Sequence, residues 1–139
     1  MQQSKGIPLP KQPVVLCVDD EPNVLILRRT LLGNAGYKVQ VAEDGEKGLE
    51  IFRNESIDLV VLDYKMPRML GDEVAREMRK LRKNIPLLLV TAYPDLPETS
   101  TSVFDAVILK GGSPEVLLGS IKNMLSRRDE AAGNRAGSF

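Results

Sequence analysis

Three acids stand together near the start of the chain, Asp19, Asp20 and Glu21, directly after the apolar run Val14–Val18. A fourth, Asp63, follows a second apolar run, Ile57–Leu62. Thr91 comes at the end of a third run that starts at Pro86, and Lys110 follows a fourth, Ala106–Leu109. If those runs lie side by side, several carboxylates, a hydroxyl and an ammonium converge at one edge. Two carboxylates about 4 Å apart repel by roughly 4 kcal/mol at an effective dielectric near 20. A hard divalent cation such as Mg²⁺, or Mn²⁺, relieves that repulsion through oxygen ligands and retained waters. Such a site suits phosphoryl transfer, because the metal and a Lys neutralise charge on the moving oxygens. A carboxylate there can itself be the nucleophile and become an acyl phosphate. The plainer reading of Asp19 and Asp20 is that they favour the N-terminus of the helix that follows.

The elements that must position these groups alternate. Val14–Val18, Ile57–Leu62 and Pro86–Thr91 are continuous apolar runs, the pattern of strands buried on both faces, and Lys38–Ala42 and Ala106–Leu109 are shorter strand signals. Between them lie helical patterns. Pro22–Ala35 carries Val24, Leu27, Leu31 and Ala35 at helical spacing, with Gly33 and Gly36 near its end. Asp44–Asn54 has Leu49 and Phe52 on one face, and Gly71–Arg82 aligns Val74, Met78 and Leu81. Ser113 caps a last helix with Pro114 in its first turn and Leu117, Ile121 and Met124 as its stripe. Five strands alternating with helices predict an α/β fold, a doubly wound five-stranded parallel sheet. Ligands of such sheets sit outside the carboxyl ends of the strands, where Asp19, Asp20, Asp63, Thr91 and Lys110 fall.

Residues 1–13 carry Pro8, Pro10 and Pro13 and read as a flexible lead-in; residues 14–126 form one domain; residues 127–139 are polar with glycines and read as a frayed tail. Lys plus Arg equals Asp plus Glu at 19 each, so net charge gives no reason to expect nucleic acid or an anionic membrane as partner. No apolar run is long enough to span a bilayer and the start has no secretory pattern. The single cysteine, Cys17, excludes an intrachain disulfide and sits in a strand as inert core. Together these predict a cytoplasmic protein. There is no histidine, which argues against zinc sites and nucleophile–histidine pairs.

In this order, the motifs Val18-Asp19-Asp20-Glu21-Pro22, Leu62-Asp63-Tyr64-Lys65-Met66-Pro67, Val90-Thr91-Ala92 and Leu109-Lys110 resemble the receiver domain of two-component response regulators, over about Val14 to Leu125. The resemblance implies a flavodoxin-like receiver fold with Asp63 as phosphoacceptor. It implies Mg²⁺ held by Asp19, Asp20, Asp63 and the backbone carbonyl of Lys65. Thr91 and Lys110 would contact the phosphoryl oxygens and complete the catalytic set with Asp63. Glu21 is assigned more to the helix start than to the metal. Lys65 and Tyr93, each two residues past a motif position, would influence phosphoryl lifetime. The donor would be a histidine kinase or phosphotransfer protein, since this chain has no histidine of its own. With thirteen residues after position 126, output is expected through contact with a protein target rather than nucleic acid or membrane; homodimerisation is left open.

The chain departs from the family pattern in three places. Gly111 stands where most receivers have Pro, and two glycines permit positive φ. Val107 stands where many have Tyr or Phe. The stretch from Thr91 to Lys110 is short and holds Pro94, Pro97 and Thr99-Ser100-Thr101-Ser102, so its helix is expected to be short and the output surface atypical. Other readings stay open: a degenerate receiver that binds without phosphorylation, a receiver excised from a hybrid kinase, and an aspartate-nucleophile phosphatase of the haloacid dehalogenase type. The last wants an Asp where Glu21 stands.

Overall fold

The computed structural model describes residues 11–136, with side chains through 131. Five strands, β1 (Val14–Val18), β2 (Lys38–Ala42), β3 (Leu59–Asp63), β4 (Leu87–Thr91) and β5 (Ala106–Leu109), form one sheet in the order β2-β1-β3-β4-β5. Every pairing is parallel. Five helices alternate with them: α1 (Pro22–Asn34), α2 (Gly45–Asn54), α3 (Gly71–Leu81), α4 (Glu98–Thr101) and α5 (Pro114–Ala136). This is the doubly wound sheet that the alternation predicts.

Side chains alternate along each strand, so the sheet builds two cores. One face sets Leu16, Val18, Val60, Leu62, Leu87 and Leu89 against Phe52 of α2 and Val74 and Met78 of α3. The other sets Val15, Cys17, Val61, Leu88 and Val90 against Leu25 and Leu32 of α1 and Leu117, Ile121 and Met124 of α5. β3 and β4 are buried over their whole length, which is why they read as unbroken apolar runs. β5 is an edge strand, with Val107 43% and Leu109 53% exposed.

Three expectations are corrected. The inward face of α1 is Leu25, Arg28 and Leu32, not the stripe Val24, Leu27, Leu31 and Ala35. Leu27 is 70% exposed. α1 has apolar residues on every side, so periodicity alone leaves its rotation undecided. The tail is not frayed from residue 127, because α5 runs on to Ala136. Arg127, Arg128, Glu130, Ala131 and Ala132 are good helix formers extending an existing helix, which costs far less than starting one. Arg128 anchors that extension, its Nη1 donating to Asp58 Oδ1 at 2.9 Å and to the Asp58 carbonyl at 3.2 Å. The third strand is shifted from its expected range, so Asp63 is its last residue rather than the residue after it. Of the lead-in, residues 1–10 lie outside the described residues, as do 137–139 of the tail; the carbonyl of Pro13 already accepts the Lys38 N–H at 2.9 Å. The fourth helix is short, as its composition predicts, at four residues. Gly111 takes a φ of 85°, as a glycine pair there permits.

Candidate functional site

The parallel register brings the expected residues to one end. Asp19 follows β1, and its N–H donates to the Ala42 carbonyl of β2 at 3.1 Å. Asp63 ends β3 opposite Val90, and Thr91 ends β4 opposite Leu109. The N–H of Lys110, just past β5, donates to the Thr91 carbonyl at 2.8 Å. The ends of β1, β3, β4 and β5 therefore present Asp19, Asp63, Thr91 and Lys110 side by side.

Lys110 is the hub. Its Nζ lies 3.1 Å from Asp63 Oδ1, 3.2 Å from Asp19 Oδ2 and 3.7 Å from Glu21 Oε1. Asp63 Oδ1 also accepts the Tyr64 N–H at 2.9 Å. Asp63 Oδ2 has no hydrogen-bond or ionic partner among the described residues and is not fully enclosed. Burial and then the nearby Asp19 charge push the Asp63 pKa up, with Lys110 and the Tyr64 N–H working the other way. Burial disfavours the charge on Lys110, but the Asp19 and Asp63 carboxylates outweigh it and hold its pKa above the ordinary value. Cys17, by contrast, is pushed up to about 12 by burial and is inert core, as its strand position suggests.

Asp19, Asp20 and Glu21 each offer an oxygen within 4.8 Å of the others. Asp19 Oδ1 accepts the Glu21 N–H at 2.9 Å, while Asp19 Oδ2 is buried without a hydrogen bond. A set of hard oxygens, one of them buried and held by ion pairs alone, fits Mg²⁺ or Mn²⁺. Glu21 belongs to this group more closely than its sequence position suggests. It is the N-cap residue of α1, yet its side chain makes no capping hydrogen bond. Asp63 joins the group through Lys110 rather than as part of the triplet. The Lys65 side chain is exposed, and its carbonyl accepts no hydrogen bond among the described residues. Thr91 is buried, and its Oγ1 accepts the Tyr93 N–H at 3.0 Å. Tyr93 is exposed and meets Tyr64 edge-on, with ring centroids 6.3 Å apart.

Three features escaped the sequence reading. Gly71, at the start of α3, donates its N–H to the Tyr64 carbonyl at 2.7 Å, and a Cβ there would fall on the Asp63 carbonyl. Only a glycine lets α3 press against the end of β3. Arg28 of α1 is buried with Nη1 3.6 Å from Asp19 Oδ2. An open apolar groove of about 330 Å³ runs beside the site, between α1 (Val24, Leu27, Leu31), the end of β5 and the start of α5 (Val116, Leu117). A glycine opening a helix was the one available signal for Gly71; the other two needed the rotation of α1.

Comparison with known proteins agrees with this geometry. The family described as the response regulator receiver domain matches residues 15–122. A probable transcriptional regulator, ycf27, from Porphyridium aerugineum is 37% identical over 123 residues, covering 86% of this chain and 51% of the relative. The chain thus spans about half the length of the curated relatives it matches. Among solved structures, a CheY-like receiver domain protein from Methanospirillum hungatei is 32% identical with a TM-score of 0.82, covering 87% of this chain and 99% of that one. The response regulator TrrA from Thermotoga maritima, in complex with Mg²⁺ and BeF, is 37% identical with a TM-score of 0.76, covering 81% and 99%. TrrA in complex with the histidine kinase ThkA superposes with a TM-score of 0.77 at 36% identity, covering 82% and 99%. No helix among the described residues is long and apolar enough to cross a membrane. The chain belongs to the response regulator receiver domain family, the phosphorelay receivers of two-component systems.

Proposed function

We propose that Asp63 accepts a phosphoryl group, with Asp19, Asp20 and the Lys65 carbonyl holding Mg²⁺ beside it. The observation that carries this is the asymmetry of Asp63: Lys110 Nζ sits 3.1 Å from Oδ1, while Oδ2 has no partner among the described residues. Oδ2 is the oxygen free to attack phosphorus. As the new O–P bond forms, the donor's bond to phosphorus breaks and the donor leaves with that electron pair. Lys110 is already placed to follow the negative charge from carboxylate to phosphoryl oxygens. The Thr91 hydroxyl accepts from Tyr93 N–H, which leaves its own hydrogen to donate to a phosphoryl oxygen. Mg²⁺ bound here supplies Lewis-acid neutralisation of the transferred oxygens.

The donor is a phosphohistidine on a histidine kinase or phosphotransfer protein, a reading supported by the kinase-bound neighbour. Output passes through a protein target in the cytoplasm, as the added charge biases the domain between two shapes. Tyr93 and Lys65 border the acceptor, Tyr93 through its edge contact with Tyr64, and set how readily water reaches the acyl phosphate. Lys65→Asn or Tyr93→Ala is expected to change the decay rate; unchanged decay in both would remove them from this role.

The test is intact mass after incubation with acetyl phosphate. Wild type should gain one phosphoryl group with Mg²⁺ and none after chelation, and Asp63→Asn should gain none. A second reading, binding without phosphorylation, is favoured by exposed Val107 in the place of the family's aromatic. Target binding that survives Asp63→Asn and ignores phosphodonor would select it.

A further inference from the structure

α1 turns Leu25, Arg28 and Leu32 inward. Two are ordinary core residues; the middle one is a guanidinium, 7% exposed. A buried arginine is expected to engage its donors. Here Nη1 is enclosed and makes no hydrogen bond, and its only ionic neighbour among the described residues is Asp19 Oδ2 at 3.6 Å. Asp19 Oδ2 is itself enclosed without a hydrogen bond, and Lys110 Nζ approaches it from 3.2 Å. One carboxylate oxygen at the centre of the acid cluster is therefore bracketed by two cations.

The two cations differ in kind. Lys110 reaches Asp63 and Glu21 as well, and Gly111 and Gly112 follow it. It can leave Asp19 when a better anion arrives. Arg28 has no second carboxylate within ion-pair distance among the described residues, and it lines the apolar groove with Val24, Leu31 and Leu117. Arg28 therefore remains a positive charge behind Asp19 whatever Lys110 does.

We infer that Arg28 is a positioning residue for the metal site: a fixed counter-cation that holds Asp19 and subtracts from the negative charge a divalent cation meets. It weakens Mg²⁺ binding to the unphosphorylated domain, so that the metal exchanges freely until a phosphoryl group adds its own charge. This rests on the reading of Asp19 and Asp20 as metal ligands.

The experiment is Mg²⁺ binding to the unphosphorylated protein by titration calorimetry, with far-UV circular dichroism to confirm the fold of each variant. Arg28→Met should bind Mg²⁺ roughly fivefold or more tightly than wild type, because a like charge close to the ion is gone. Arg28→Lys, which keeps the charge, should stay within about twofold of wild type. A merely structural arginine would give weaker binding or none of this ordering. Should Arg28→Met not fold, Arg28→Gln removes the charge while keeping a polar head and is read the same way. Equal or weaker Mg²⁺ binding in the folded uncharged variant, beside clear binding in wild type, overturns the inference. Wild type that binds no Mg²⁺, or Asp19→Asn that binds it unimpaired, overturns the metal reading and the inference with it.

Discussion

The two sides of the sheet's active end are held by different physics. On the β3 side, α3 presses on the end of β3 through Gly71, and the wall behind is Val60, Leu62, Val74 and Met78, all fully buried. On the β5 side, α4 is a single turn and leaves Val107 and Leu109 open. There the chain is tied by polar groups. Arg79 Nη1 donates to the Ile85 carbonyl at 2.6 Å, Arg79 Nη2 donates to the Val103 carbonyl at 2.7 Å, and Asp105 Oδ2 accepts the Leu87 N–H at 2.8 Å. A packed wall resists displacement in every direction; a clamp holds at points and leaves its surroundings free to move. Asp63, the proposed acceptor, thus sits on the rigid side, and the segment most free to move sits on the other.

Substitutions can break this contrast. Gly71→Ala should be the most damaging, since its Cβ meets backbone that cannot step aside; we expect a loss of about 3 kcal/mol in urea unfolding. Arg79→Ala removes the clamp and strands the Val103 and Ile85 carbonyls, for about 2 kcal/mol. Its effect on hydrogen exchange should centre on residues 98–108 and leave β3 unchanged.

Asp63→Asn should act in the opposite direction. The folded pKa of Asp63 is raised above 3.8 by burial and by Asp19, so its ionised form is less favourable folded than unfolded. That penalty is complete once pH exceeds the folded value, and it fades as pH falls through the folded value toward the unfolded one near 3.8. Without divalent ions, Asp63→Asn is expected to be more stable than wild type at pH 7. The gain should vanish below about pH 4. A variant no more stable than wild type at pH 7 would mean that the Lys110 contact outweighs burial.

Val107→Thr and Leu109→Ser should each change stability by less than about 0.5 kcal/mol, because these side chains are already in water. Phosphorylation should alter exchange chiefly in the loops after β4 and β5. A broad change across 94–108, as in ordinary receivers, would count against an atypical output surface.

Much of this was legible in the chain itself. Strands buried on both faces leave unbroken apolar runs, so β1, β3 and β4 stood out, and the acids and Thr91 at their ends, with Lys110 after β5, followed from the parallel arrangement. Pro94, Pro97 and the Thr–Ser run foretold the short α4. What periodicity could not supply was the rotation of α1, where Leu25, Ile26, Leu27, Leu31 and Leu32 leave no polar side to mark the exterior. Arg28 was hidden for the same reason, since an arginine in a helix is normally read as surface. The length of α5 depended on Arg128 reaching Asp58, a contact between residues 70 positions apart. Gly71 depended on how closely α3 approaches the end of β3, and composition carries no record of that distance.

The central claim is that Asp63 is the residue that carries the phosphoryl group, and its most direct test is chemical mapping. The chain would be phosphorylated with acetyl phosphate and Mg²⁺, reduced with borohydride, which converts an acyl phosphate of aspartate to homoserine, and sequenced by tandem mass spectrometry. The account predicts homoserine at position 63 alone, and none when Mg²⁺ is withheld. Homoserine at position 19 or 20 instead, or a stable phosphate on Thr91, would contradict it.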